Sequence, residues 1–144
     1  MKVNITRIDR SLPLPAYHTP GAVAFDLYSR TDSTLAPHDQ GLLPTNFIIH
    51  VPAGHTVVLA ARSSLHKRGL RMSNGIGIID QDFHGPEDEL QMAVYNFTDR
   101  VVEIKKGERL GQGMIVPILK AEWNEVESQQ ESSRGGFGST GVEL

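Results

Sequence analysis

An all-β fold is predicted for this 144-residue sequence by three observations: short apolar–polar alternations recur along most of it, turn residues punctuate them closely, and helical periodicity is almost absent. Many short strands with Gly, Pro and Asn between them mean a barrel or a sandwich. No repeat of fixed period appears and no linker divides the chain, so one domain is expected, long enough to bury a core without staples.

Lys2 to Ile8 sets Val3 and Ile5 on one face and Asn4 and Thr6 on the other, as in a half-buried strand. A loop marked by Pro13, Pro15, Pro20 and Gly21 follows. Ala22 to Tyr28 places Val23, Phe25 and Leu27 on one face and Asp26 on the other, between Ala24 and Tyr28. Leu42 to Val51 and His55 to Ala61 read as two strands joined by a hairpin-sized Pro52-Ala53-Gly54 connection. Leu70 and Met72 lead to Asn74-Gly75, a tight hairpin turn before the buried run Ile76 to Ile79. Leu90 to Phe97 alternates again. Val101 to Ile104 and Leu110 to Leu119 flank a turn, with Gly111 and Gly113 around Gln112 indicating a bulge or close backbone approach. Ala121 to Val126 is expected to add a last strand through Trp123.

Composition narrows the function. Fourteen Lys and Arg against seventeen Asp and Glu give a formal charge of −3, which disfavours a polyanion-coating protein and stable nucleic-acid binding. The absence of cysteine excludes disulfides, thiolate metal sites and thiol nucleophiles. No apolar run approaches membrane-spanning length and no signal peptide or lipidation pattern is visible at Met1-Lys2-Val3, so no membrane partner is expected. The expected compartment is the cytoplasm, or the nucleus for a eukaryotic or viral source.

Three stretches carry candidate chemistry. Asp80 and Asp82 close the Ile-rich run and share a face if extended backbone continues, with Phe83 opposite; they read as a solvated acid pair or as working carboxylates. Arg62, Ser63 and Ser64, followed by Lys67 and Arg68, leave the end of an apolar strand, either as a solvated basic turn or as a phosphate-binding start to a short helix. Ser128 to Leu144 turns polar and glycine-rich around one aromatic, Phe137. That composition suits a disordered tail, or an arm whose glycine N–H groups, Ser139, Thr140 and Arg134 meet a phosphate chain while Phe137 stacks on a base. It is not a Walker loop, because no Gly-Lys-Ser/Thr follows.

AFDL (24–27), RSSLHKRG (62–69), NGIGIIDQDFHG (74–85), GERLGQGMIVP (107–117) and RGGFGSTG (134–141), in that order, resemble the five motifs of the trimeric dUTP pyrophosphatases, the dUTPases. The resemblance spans nearly the whole chain. It implies a jelly-roll-like β barrel over residues 1–127 and a glycine-rich arm over 128–144 that closes over a neighbour's site. It further implies a homotrimer with sites between subunits and Mg²⁺-dependent cleavage of dUTP to dUMP and pyrophosphate. That reaction limits uracil incorporation into DNA and supplies dUMP for dTMP synthesis. Position by position, Asp80 matches the base that deprotonates the water attacking the α-phosphorus. Arg62, Ser63 and Ser64 match the phosphate motif, and Asp26 and Gln112 match residues that hold magnesium's water shell. Asn74 and the hairpin backbone, Gly77 and Ile79 included, match the uracil pocket, where fixed C=O and N–H groups suit uracil and reject cytosine. Arg134, Gly138, Ser139 and Thr140 match the arm's γ-phosphate contacts, and Phe137 matches its stacking ring.

The departures from the family pattern are specific. Phe83 stands where Tyr usually packs under the deoxyribose, Ala61 where Pro is common and Ser64 where Gly is common. Pro86-Glu87-Asp88 resembles a three-residue insertion, expected to point away from the anionic substrate. Arg134 precedes Phe137 by three residues instead of the family's five. Asp82 is expected to be structural. The related dCTP deaminases need a catalytic Glu near Ala93, where this chain has no acid. A non-catalytic nucleotide binder would have no use for Asp80, Asp26 and Gln112 together.

Overall fold

The computed structural model describes residues 1–137, 139 and 141. Its strands are β1 (Asn4–Arg7), β2 (Phe25–Tyr28), β3 (Ser33–Leu35), β4 (Gln40–Pro44), β5 (Phe47–His50), β6 (His55–Ala61), β7 (Leu70–Met72), β8 (Gly77–Ile79), β9 (Gln91–Asn96), β10 (Val102–Ile104) and β11 (Arg109–Pro117). One short 3₁₀ turn, Leu65–Arg68, lies between β6 and β7. All pairings are antiparallel, in four small sheets ordered β1-β5, β10-β3, β2-β11-β6-β8 and β4-β9-β7. The fold is all-β and jelly-roll-like.

The four-stranded sheet positions the candidate site. Val57 and Leu59 of β6 point into the core while Thr56, Val58 and Ala60 take the other face, the two-residue period of a strand. β11 lies beside β6 from Gly111 opposite Ala61 to Pro117 opposite His55. On its other side it meets β2, with Gln112 directly opposite Asp26 and a register shift between Arg109 and Gly111. The glycines of β11 answer to close approach: a Cβ on Gly113 would sit 2.6 Å from the Phe25 ring, and one on Gly111 would collide with the Met92 sulfur. Phe25, Leu27, Phe47, Leu59, Leu90 and Ile104 join one continuous core, each fully buried side chain worth about 1.5–3 kcal/mol relative to exposure.

Local alternation foretold the strands better than their partners. Leu42 to Val51 is not one strand: it breaks at Thr45-Asn46, where Asn46 has φ 78°. Asn46 is fully buried, and its side chain bonds Asp9 through Oδ1 from Asp9 N at 2.6 Å and Nδ2 to Asp9 O at 3.0 Å. The two halves therefore enter different sheets. Pro52-Ala53-Gly54 turns the chain, but β5 pairs with β1 and β6 with β11 and β8, so no hairpin forms. Asn74-Gly75 likewise carries the chain between sheets, with β7 on β9 and β8 on β6, and only Gly75 takes positive φ. Val23 is 78% exposed instead of sharing the core with Phe25 and Leu27. Ala121 to Val126 forms no strand within the chain, and Trp123 is 91% exposed.

The insertion is a compact turn. Asp88 Oδ2 accepts from Gly85 N at 2.7 Å, and Glu87 is exposed. Beyond it, Glu89 turns inward to a two-pronged pair with Arg30, Nε and Nη2 each at 2.8 Å, and accepts from Asn46 N. The Glu89 carboxylate raises the Arg30 guanidinium above its ordinary range through that hydrogen bonding.

Candidate active site

Side chains from three distant stretches meet at the end of the four-stranded sheet where β6 stops. Asp26, only 10% exposed at its side chain, receives Arg62 Nε on Oδ1 and Arg109 Nη1 on Oδ2, each at 3.0 Å. His18 Nε2 also lies 3.0 Å from Oδ2 and 3.2 Å from Arg109 Nη1. That nitrogen donates to the carboxylate when protonated and accepts from the guanidinium when bare. Arg62 is held further by its N–H to Leu110 O at 3.2 Å and by Nη1 to Arg109 O at 3.3 Å.

The phosphate motif then turns immediately. Leu65 N donates to Arg62 O, and Leu65 is buried as the apolar anchor of the 3₁₀ turn. Ser63 and Ser64 stay exposed, and Ser64 caps the turn without a side-chain bond. Among the described residues neither hydroxyl is engaged, so both are available as donors to an incoming oxyanion. Gln112 Nε2 donates to Ala61 O at 2.9 Å. This fixes the amide and leaves its carbonyl oxygen to accept from a water.

A magnesium water shell fits this donor set. Three of the roughly four lone-pair directions of the Asp26 carboxylate are already faced by cationic or ring nitrogens, which leaves little room for direct ligation and one position for a bound water. Gln112 supplies a second oxygen acceptor beside it. Oxygen donors that reach the ion through water suit magnesium, which keeps its hydration shell.

Asp80 is elsewhere. It follows β8, whose Ile79 is opposite Val57, near the start of β6, whereas Arg62 follows the end of β6. At about 3.3 Å per residue the strand separates the two by about 20 Å. The Asp80 carboxylate is exposed and has no hydrogen-bond partner among the described residues. The strand stops at Ile79 and a turn begins, with Phe83 N donating to Asp80 O at 3.2 Å. Strict alternation therefore does not carry Asp80 and Asp82 on together. Phe83 is 40% exposed beside them.

β8 is an edge strand, so one row of its N–H and C=O groups has no sheet partner among the described residues. Gly77 packs on Leu59, where a Cβ would approach to 3.1 Å. Ile79 faces inward against the core, and its carbonyl accepts from Thr56 Oγ1. Asn74 is exposed at the turn before β8. Arg134, Phe137 and Ser139 are exposed. Gly138 and Thr140 lie outside the described residues.

Sequence reasoning did not select Arg109 or His18. Arg109 carried one signal, a cation three residues before Gln112 on the same strand. His18 carried none, since it sits in a proline-punctuated loop that only the fold brings to Asp26.

A family model described as dUTPase matches residues 10–141. A relative named deoxyuridine 5′-triphosphate nucleotidohydrolase from Shewanella denitrificans is 38% identical, over 99% of this chain and 96% of its own. One of the same name from Serratia proteamaculans is 40% identical, over 98% and 95%. Among solved structures, the Streptococcus mutans dUTPase is 27% identical with a TM-score of 0.75, covering 83% of this chain and 98% of its own. The Staphylococcus bacteriophage 80alpha dUTPase bound to dUpNHpp superposes with a TM-score of 0.85 over 98% and 99%, and at 23% identity speaks to the fold alone.

Proposed function

The chain belongs to the dUTPase family, and from that premise we infer that it hydrolyses dUTP to dUMP and pyrophosphate at sites shared between the subunits of a homotrimer. The observation that carries the reading is the gathering of Arg62, Asp26 and Gln112, from three separate motifs, at one end of a sheet. Arg62, with Ser63 and Ser64, grips the phosphate chain; Asp26 braces Arg62 and, with Gln112, accepts from the waters of a magnesium ion. When bound, that ion neutralises charge on the phosphates.

Asp80 takes the proton of the water that attacks the α-phosphorus. A base must lie within hydrogen-bond reach of that water, and Arg62 must touch the same phosphate chain. Sites about 20 Å apart along β6 cannot do both for one substrate, so Asp80 of one copy works with Arg62 of another. This separation supports the trimer and the shared site. The outward face of the same sheet carries Val58, Ile78 and Met114, with Ile78 67% exposed, an apolar surface that assembly would cover.

The free edge of β8 supports base selection by backbone groups: uracil presents a donor at N3 and an acceptor at O4, and cytosine reverses both. Asn74 stands beside the base, and Phe83 packs under the deoxyribose. Residues 1–127 form the barrel domain, and 128–144 the arm that brings Arg134, Phe137, Gly138, Ser139 and Thr140 over a neighbour's site. Removal of dUTP limits uracil incorporation into DNA and the dUMP product feeds dTMP synthesis, in a cytoplasmic setting. The test is incubation with dUTP, dCTP, dTTP and UTP plus Mg²⁺. Pyrophosphate from dUTP alone is expected; ammonia from dCTP, or binding without turnover, overturns the reading. Truncation before Arg134 is expected to leave a folded oligomer with severely reduced turnover, and a fully active truncation removes the arm from the mechanism.

A further inference from the structure

The turn that carries Asp80 is fastened by a pair of histidines outside every motif role assigned above. His84 ends the turn. Its Nδ1 lies 2.8 Å from Gln81 O, and since a carbonyl only accepts, Nδ1 carries the proton and donates. Its backbone N–H donates to Asp82 O at 3.1 Å, so both of its donors close the turn onto itself. The imidazole then lies flat on that of His50, at the end of β5, with ring centroids 3.8 Å apart and planes 6° from parallel.

A second tie runs in the same direction. Gln81 Nε2 donates to His55 O at 3.0 Å, at the first residue of β6. The turn is thus held at Gln81 by β6 and at His84 by β5, strands that belong to different sheets. Asp80 itself has no side-chain bond among the described residues, so its direction is set by its backbone. The backbone, in turn, is set by these two ties.

The geometry points to His84 as a positioning residue for hydrolysis, acting through its stack on His50 to aim Asp80 and Phe83. The inference rests on Asp80 being the water base. Small displacements of a base cost turnover much more than binding, because a reacting water must be aligned while the triphosphate is held by other groups.

The test measures dUTP turnover per folded protein, with circular dichroism for fold, in His84→Ala, His50→Ala, the double variant and His50→Phe, beside Asp80→Asn. The expected result is a roughly tenfold loss of kcat in each alanine variant with KM within about twofold. The double variant should be no worse than His84→Ala, because either change removes one shared stack. His50→Phe keeps a flat ring and should restore turnover to near the parent value. Unchanged kcat in the single variants, losses that multiply in the double variant, or failure of His50→Phe to rescue each overturns the positioning role. Asp80→Asn separates the two levels: if it is inactive while the histidine variants are normal, only the clamp fails. If it is active, the base assignment beneath the clamp fails with it.

Discussion

Asp26 and Asp80 are the two carboxylates to which the chemistry is assigned, and their surroundings are opposites. Asp26 is almost fully buried and faced by Arg62, Arg109 and His18, while Asp80 is exposed and unbonded among the described residues. The difference suits the tasks proposed for them. A carboxylate that braces a phosphate-gripping arginine works by being occupied, and preorganised charge costs no rearrangement when substrate arrives. A carboxylate that must take a proton from water needs a free lone pair and a fixed backbone. Buried and braced at one end of the sheet, bare and backbone-aimed at the other, the two acids suit the separate tasks of gripping and reacting proposed for them.

Asp80→Asn tests the bare end and has the largest expected effect. Loss of the base should lower kcat by about 10²–10⁴-fold. KM for dUTP and Tm should stay near the parent values, because the side chain neither packs nor pairs. A kcat near the parent value would dismiss Asp80 as the base.

Mixing two inactive variants breaks or sharpens the idea that the ends meet only between copies. Arg62→Ala retains Asp80, and Asp80→Asn retains Arg62. If one site takes each residue from a different subunit of a symmetric trimer, random reassembly of equal amounts should restore about a quarter of the sites. Measured activity should rise from near zero to that fraction. No recovery after verified subunit exchange would place both residues in one chain's site, against the separation along β6.

Asp26→Asn should look unlike Asp80→Asn. Breaking a buried ion pair costs about 3–5 kcal/mol, and since the two guanidinium groups are partly exposed the expected loss here is about 1–3 kcal/mol. Chemical denaturation checks that figure. Turnover should fall by about 10–10²-fold through misplacement of Arg62, with KM for dUTP raised. An Asp26→Asn protein as stable as the parent would show that the ion network is ornamental.

The same contrast explains what the sequence made legible. The residues proposed to meet substrate sit in short strings whose order and spacing survive in one dimension, so Asp80, Arg62, Ser63 and Gln112 could be proposed from the sequence. Strand faces were readable where alternation is local, as in β6 and β9. Pairing was not: β5 to β6 and β7 to β8 looked like hairpins because turn chemistry is local, whereas the choice of partner strand is made by distant core contacts. Pro44-Thr45-Asn46 interrupts a run that reads as one strand from Leu42 to Val51, and the burial of Asn46 against Asp9 and Glu89 depends on residues far away in sequence. The bracing of Asp26 by His18 is of the same kind. Trp123 shows the limit from the other side, with a strand-like pattern that finds no partner among the described residues.

Asp9 supplies the control, a carboxylate braced as Asp26 is but by none of the same partners. Lys106 Nζ lies 2.5 Å from its Oδ2, and Ser11 donates to Oδ1 through Oγ at 2.7 Å and through its backbone N–H at 2.9 Å. The hydrogen bond from Lys106 first, then those from Ser11, hold the Asp9 carboxyl well below the usual carboxylate range. A carboxylate with a depressed folded-state pKa contributes stability that is present above the unfolded value of about 3.9 and is lost as pH falls toward the folded one. The stability difference between the parent and Asp9→Asn should therefore be small but constant from neutral pH down to about pH 5 and shrink in more acid solution. Turnover of dUTP at neutral pH should be unchanged. Thermal melts across that range check the first expectation and steady-state kinetics the second. If Asp9→Asn instead lowered turnover as Asp26→Asn does, bracing of any carboxylate would suffice to explain the loss. The special standing of Asp26 beside Arg62 would then lapse.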